Sequence, residues 1–306
     1  MPPRNGPALR FFFRQRMAGE VPEVYDLSHL EVLDFHFDAV DFRGQDGQTE
    51  VRVLMGVPTR DLYVPDAGDT ALVARRVALI GQRSKQAYRV HGDLPVPLSE
   101  VGNSAIVEEF SLVVPPGDYL LALQVWRKGT KRMGVYHQEM PVESYTGEML
   151  MLSDVQVARE VAPADSGRFV RSGFRVMPTP GRAFYKGQHV FLYFEIYNLD
   201  RDAFGQTRFE VAYTVRDANM GTLFVRALSG LGRAISGGGG EAAVTVRYEQ
   251  TGSRDWEGDF VELDVGDAAP GEYEVEVAVV DQNGNARVSK TAHFRIVEGG
   301  ESASSD

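Results

Sequence analysis

Residues 116–125 read PGDYLLALQV and residues 270–279 read PGEYEVEVAV. Each is a Pro-Gly pair, an acid, a tyrosine, and a run with apolar residues at alternate positions. These are Leu121, Leu123 and Val125 in one run, and Val275, Val277 and Val279 in the other. Such alternation marks a strand with one buried face. Pro followed by Gly closes a tight turn ahead of it. A tyrosine at the head of the strand can place its ring in the core while its hydroxyl reaches backbone at the corner. That is the logic of the tyrosine corner in immunoglobulin-like sandwiches. The offset between the two stretches, 154 residues, holds for every member.

The flanks repeat too. Phe110, Leu112 and Val114 precede the first turn; Val261, Leu263 and Val265 precede the second. A polar hairpin follows each, Arg127-Lys128-Gly129-Thr130 and Asp281-Gln282-Asn283-Gly284-Asn285, and then a closing strand. This pattern predicts an internal duplication and an all-β fold. The expected architecture is two tandem immunoglobulin-like or fibronectin-like antiparallel β-sandwiches with a short N-terminal arm.

Residues 1–27 read as an arm or the remnant of an upstream domain, residues 28–147 as the first sandwich and 148–298 as the second. Residues 299–306, all Gly, Ser, Ala and acid, read as a disordered tail. In the first sandwich the alternating set Leu33, Phe35, Phe37, Ala39, Asp41 is the expected buried face of a strand. A Gln45-Asp46-Gly47 turn then leads to a second strand over 50–57. Further strands are expected over 71–81, 86–91, 106–114, 119–127 and 133–142. In the second sandwich they fall at 150–158, 174–177, 190–198, 208–216, 222–228, 243–249, 260–265, 273–281 and 287–297. The stretch from Arg233 to Glu241, with four successive glycines at 237–240, reads as a mobile loop.

Composition bounds the chemistry. The 306 residues include no cysteine, which removes disulfides, Cys-ligated metals and thiol nucleophiles. Domains of this size can bury a core without staples. The formal charge of −11 argues against nucleic acid as a partner. No apolar run is long enough for a transmembrane segment. The apolar centre of residues 1–20, Leu9 and Phe11 to Phe13, is too short for a signal peptide.

No catalytic constellation stands out. The histidines at 29, 36, 91, 137, 189 and 293 make no metal-ligand pair at helical or strand spacing. There is no nucleophile elbow and no phosphate-binding loop. Carboxylates line up at Asp255, Glu257 and Asp259, and at Glu272, Glu274 and Glu276. Alternation puts each row on one face. A row on one wet face lacks the contrasting environments that acid–base catalysis needs. The loops starting at Asp200 and Asp281 carry calcium-like oxygen side chains but read better as hairpin turns. No cofactor and no enzyme activity are expected.

One surface offers contacts. In VFLYFEIYN, residues 190–198, Leu192, Phe194 and Ile196 point to the core, with Phe209, Val211, Tyr213 and Val215 on a facing strand. Phe191, Tyr193 and Tyr197 then crowd the other face beside Glu195. That aromatic face would dock a protein or stack a sugar, unless another strand covers it.

Several segments resemble the C-terminal region of bacterial GWxTD domain-containing proteins. They are Tyr145-Thr146-Gly147 leading into Leu150 to Ala158, Gly173 to Pro178 with Gly187-Gln188, and Leu192 to Leu199. No Gly-Trp-x-Thr-Asp string occurs; the tryptophans are Trp126 and Trp256. The resemblance implies a bacterial, envelope-associated protein, periplasmic or extracellular, and transfers no catalytic residue. The expected function is a non-enzymatic interaction or scaffold module. Its partner is another protein or an upstream domain of the same polypeptide. The alternatives are a carbohydrate-binding module using the aromatic face, and an accessory domain of an enzyme with acids meeting near residues 143–170.

Overall fold

The computed structural model describes residues 31–62, 70–97, 105–217, 226–227, 233–235, 243–266 and 268–298. The arm 1–27, the glycine run 237–240 and the tail 299–306 lie outside them. By spatial contacts the chain forms two units. One holds the described residues up to Phe37 and residues 48–144; the other holds 38–47 and everything from Tyr145 on. Both are all-β and immunoglobulin-like.

The strands run β1 (Glu31–Val32), β2 (His36–Arg43), β3 (Thr49–Pro58), β4 (Thr70–Gly81), β5 (Ala87–Pro97), β6 (Ala105–Val114), β7 (Gly117–Arg127) and β8 (Arg132–Val142). They continue as β9 (Met151–Leu152), β10 (Gln156–Pro163), β11 (Val170–Arg171), β12 (Phe174–Pro178), β13 (Ala183–Tyr185), β14 (His189–Tyr197) and β15 (Thr207–Asp217). The last are β16 (Arg226–Ala227), β17 (Arg233–Ile235), β18 (Ala243–Gly252), β19 (Trp256–Asp264), β20 (Gly271–Asp281) and β21 (Arg287–Val297).

In the first unit one sheet has the order β1-β8-β7-β4-β5, and β3 pairs with β6 in the other. In the second unit the corresponding sheet runs β13-β21-β20-β15-β18-β17, and the other runs β11-β12-β10-β14-β19-β16 with β9 also on β14. The order β8-β7-β4-β5 therefore recurs as β21-β20-β15-β18. A short parallel strand flanks each copy, β1 on β8 and β13 on β21. Gly134 permits the first of these: a Cβ there would run into the Leu33 carbonyl and the Phe35 ring.

Both tyrosines sit as the corner logic requires. The Tyr119 hydroxyl donates to the Pro115 carbonyl at 2.7 Å, and the Tyr273 hydroxyl to the Ala269 carbonyl at 2.5 Å. Both rings are buried, and Tyr273 stacks on Phe294 with ring centres 5.4 Å apart. Burial, with Tyr88 adding to it, raises the Tyr119 phenol above its ordinary value. Tyr273→Phe keeps the ring and removes one buried hydrogen bond. It should cost the second unit about 1 kcal/mol in urea unfolding; a change below about 0.3 kcal/mol would show that the corner bond is not a stabilising feature.

Local details depart from expectation in three places. The stretch 150–158 breaks into β9 and β10: at the gap the Glu195 amide of β14 donates to the Ser153 hydroxyl at 2.9 Å, and the Asp154 amide turns away to the Asp41 carbonyl at 3.2 Å. The strand expected over 86–91 runs on to Pro97. It tolerates Pro95 and Pro97 because β5 is a sheet edge. Residues Arg233–Ile235, expected to open a mobile loop, form β17 on β18.

The largest departure is in β2. Leu33 and Phe35 are buried as expected, but from Asp38 on the alternation switches to burial on both faces: Asp38, Val40 and Phe42 go inside, Asp41 is buried as expected, and Ala39 is half-buried. The switch falls at the boundary where the chain leaves the first unit for the second. Phe37 stays in the first unit, 5.6 Å from the Tyr136 ring. Along this part of β2 buried side chains therefore occupy both parities.

Candidate functional site

The face predicted to bind a partner is occupied by the chain itself. On β14, Val190, Leu192, Phe194 and Ile196 enter the core between the two sheets, where Phe209, Val211, Tyr213 and Val215 meet them. The opposite side of β14 is closed as well. Tyr193 is 0% exposed and Tyr197 1%; Phe191 is half-buried. Val40 and Phe42 from residues 38–43, with Ala158, Val161 and Val176, build a second apolar layer over Tyr193. The ring centres of Phe42 and Tyr193 lie 6.0 Å apart, and those of Tyr145 and Tyr197 5.3 Å apart. Tyr193 and Tyr197 are thus core aromatics and offer no platform to an outside ligand.

A charged centre lies inside this layer. Glu195, 1% exposed, accepts from Arg171 Nε at 2.7 Å on one oxygen and from Arg171 Nη2 at 3.0 Å on the other. The Tyr193 hydroxyl donates at 2.9 Å, the Tyr197 hydroxyl at 2.6 Å, and the Ser172 hydroxyl adds a further bond. Burial alone would push this carboxyl up. The Arg171 charge and the bonds from Arg171, Ser172 and Tyr197 outweigh it and hold the group below its usual range. Burial, and then the Glu195 charge, raise both tyrosines far above theirs. A carboxylate so saturated has no lone pair left for a substrate proton. Its work is to hold the layer.

Residues 38–43 are fastened at both ends and in the middle. Arg182 grips Asp38 with two bonds, Nε to Oδ2 at 2.7 Å and Nη2 to Oδ1 at 2.5 Å. Asp38 outweighs the burial that would otherwise lower the guanidinium, so Arg182 is held charged. The backbones of Asp41 and Asp154 meet, the Asp154 amide donating to the Asp41 carbonyl at 3.2 Å, and Tyr145 donates to the Asp41 carboxylate at 2.5 Å. The Arg43 amide donates to the Tyr197 hydroxyl at 3.0 Å, and its guanidinium to Asn198 Oδ1 at 2.6 Å. Arg171 lies over the Phe42 ring at 4.1 Å. By position residues 38–43 fall within the expected first sandwich, 28–147, yet they belong to the second unit. The only available signal was that Val40 and Phe42 are apolar on the face opposite to Phe35.

The two calcium-like loops, β14–β15 and β20–β21, bind each other. Asp281 accepts from the Asp200 amide at 2.7 Å on one oxygen and from the Asn283 and Gly284 amides at 2.9 and 3.2 Å on the other. The Asn283 side chain reaches the carbonyls of Asp200 and Gln206 at 2.9 and 3.0 Å. Asp202 caps its own turn by accepting from the Phe204 and Gln206 amides at 2.8 and 2.9 Å. Gly205 closes that turn at φ +79°. These oxygens serve the loops, and among the described residues no group of three metal-capable side chains comes together. The result is a loop fixed by at least four polar bonds that holds up Phe204, 90% exposed. Met149, also exposed, borders a cavity of about 320 Å³ at Leu150, Asn198, Asp200 and Asp281.

The carboxylate rows divide. Glu272, Glu274 and Glu276 face outward, Arg216 sitting 3.5 Å from Glu274 and 3.7 Å from Glu276. Asp259 is only half-buried but turns inward. It shares the inward side of β19 with Val261 and Leu263. His189 lies 2.6 Å from Glu262 on an exposed edge. No helix among the described residues is long and apolar enough to cross a membrane.

The fold and this geometry define the class: a β-sandwich protein of immunoglobulin-like type. No family model matches the chain, and no curated protein does. Among solved structures it is similar to Escherichia coli alpha-2-macroglobulin activated by porcine elastase, at 13% identity and a TM-score of 0.24 over 89% of this chain and 22% of that one. The native conformation of the same E. coli protein gives 12% and 0.25 over 87% and 17%. A protein described as membrane-anchored, from Corynebacterium diphtheriae, gives 13% and 0.26 over 89% and 60%. The chain thus spans less than a quarter of the macroglobulin's length and under two thirds of the corynebacterial chain's.

Proposed function

We propose that this chain is a non-enzymatic interaction module that binds another protein, or an upstream domain of its own polypeptide, through the loop end of the second sandwich. One observation carries the reading: Phe204 stands almost fully in water on a loop that is already rigid. A preorganised aromatic binds with little loss of conformational entropy, which is what interface anchors supply. The β14–β15 and β20–β21 loops occupy the end of the sandwich that variable immunoglobulin domains use for recognition. The resemblance to the GWxTD-associated region supports a bacterial, envelope-associated setting, and the matching strand orders support a duplicated origin.

The test places a photoreactive benzophenone side chain at position 204 of the full chain in its native host, with position 83, also exposed, as control. A discrete adduct is expected from 204 alone. Excess purified unlabelled chain should suppress it, and excess Phe204→Ala chain should not. Phe204→Ala itself should alter stability by under about 0.5 kcal/mol. No adduct, identical adducts from both positions, or equal suppression by Phe204→Ala would overturn the assignment. A sugar-stacking site would need the face of Phe191, Tyr193 and Tyr197, where Val40 and Phe42 pack and both tyrosines are buried.

A further inference from the structure

We infer that Asp259 is a proton-operated tie between the two sheets of the second sandwich, relaxed when its carboxyl is protonated and under tension when it is charged. The carboxyl points inward from β19, beside Val261 and Leu263, and its residue lies opposite Phe194 of β14. From the facing sheet, β18 sends two donors to the same oxygen: the Tyr248 hydroxyl at 3.1 Å and Gln250 Nε2 at 3.4 Å. The other oxygen takes the Phe260 amide at 2.8 Å. The remaining ionisable neighbours are Glu257, on the same side of β19 and itself paired with Arg254 Nη2 at 3.1 Å, and Tyr213 of β15, close to Tyr248. Arg254 is taken up by Glu257, and among the described residues no ion pair reaches Asp259 itself. The contrast with Glu195, clasped by Arg171, is the physical basis of the device. A buried carboxylate with a guanidinium stays charged; one with only neutral donors and an acid nearby resists ionising.

The electrostatics of the site point the same way. Burial, with Glu257 adding to it, pushes Asp259 up to about 6 from an ordinary 3.8, against the bonds from Phe260, Tyr248 and Gln250. The folded state therefore holds this proton more tightly than the unfolded state does. Its contribution to stability is complete below pH 3.8 and is lost as pH rises through about 6. The tie joins β19 to β18, which lies next to the short terminal strand β17 of its sheet, so mild acid should tighten that side of the sandwich.

The test is urea unfolding of the full chain in a Trp126→Phe background, where Trp256, on β19 itself, reports the second unit. The unfolding constant of this protein is compared with that of its Asp259→Asn variant. Asparagine keeps an acceptor for Tyr248 and never ionises. The ratio of the two constants should be about tenfold larger at pH 7.5 than at pH 5. A ratio constant across this range would overturn the inference, because Asp259 would then be an ordinary acceptor. If the variant does not fold, the carboxyl carbon resonance of Asp259 in the unmutated protein decides. A midpoint near 6 supports the tie, and one at or below about 4.5 refutes it.

Discussion

Arg171→Met should lower the stability of the second sandwich by about 3–5 kcal/mol, because it leaves Glu195 buried without its cation. The methionine keeps much of the packing over Phe42, so the loss reports the charge more than the volume. In the intact protein Glu195 is held below its ordinary value. Its stabilising contribution is therefore present above the unfolded carboxyl's titration and disappears as pH falls through the folded value. In Arg171→Met the carboxyl rises instead, so the deficit should be largest near pH 7 and shrink toward pH 4. Adding Glu195→Gln should recover most of the loss at pH 7, since removing a buried pair together is often nearly neutral. Urea titrations of the three chains at pH 7 and pH 4, read by Trp256, decide it. A deficit under about 1 kcal/mol at pH 7, or a double variant no better than the single, would mean that the pair does not hold this layer.

Phe42→Ala is expected to be comparably severe, about 3–5 kcal/mol, and to fall on the second sandwich. Phe42 is 0% exposed and packs on Tyr193, with Arg171 over its ring. Sequence position alone would assign it to the first sandwich. With Trp126 and Trp256 read in separate single-tryptophan backgrounds, the Trp256 transition should move and carry most of the change. A shift confined to the Trp126 transition would show that residues 38–43 belong energetically with the first unit.

Much of the fold was legible because its signals are local. Val-x-Val alternation, a Pro-Gly turn and a tyrosine four residues beyond the carbonyl it bonds all lie within a dozen positions. Both corners formed as the residues dictate. Asp46 and Gly47, at φ +52° and +73°, take the left-handed turn that their types favour. The candidate site was less legible. Alternation alone puts Phe191, Tyr193 and Tyr197 on one face of β14, as the structure has them. What covers that face comes from more than a hundred residues away: Asp41 reaches Asp154, and Arg43 reaches Asn198. Asp259 illustrates the same gap. It alternates with Asp255 and Glu257 as a solvated row would, yet the continuation of its parity is Val261 and Leu263.

Sequence alone thus determined most of the strands, the turns between them and, within an unbroken strand, which side chains share a face, because those follow from a period of two and from turn chemistry. Tertiary structure alone decided which faces meet water. It turned the outer face of β14 into a second core, sent residues 38–43 to close it, and left Phe204 exposed instead of the tyrosines. The reason is physical: alternation divides a strand into two faces, but burial of either one depends on a partner surface that the strand's own residues do not encode.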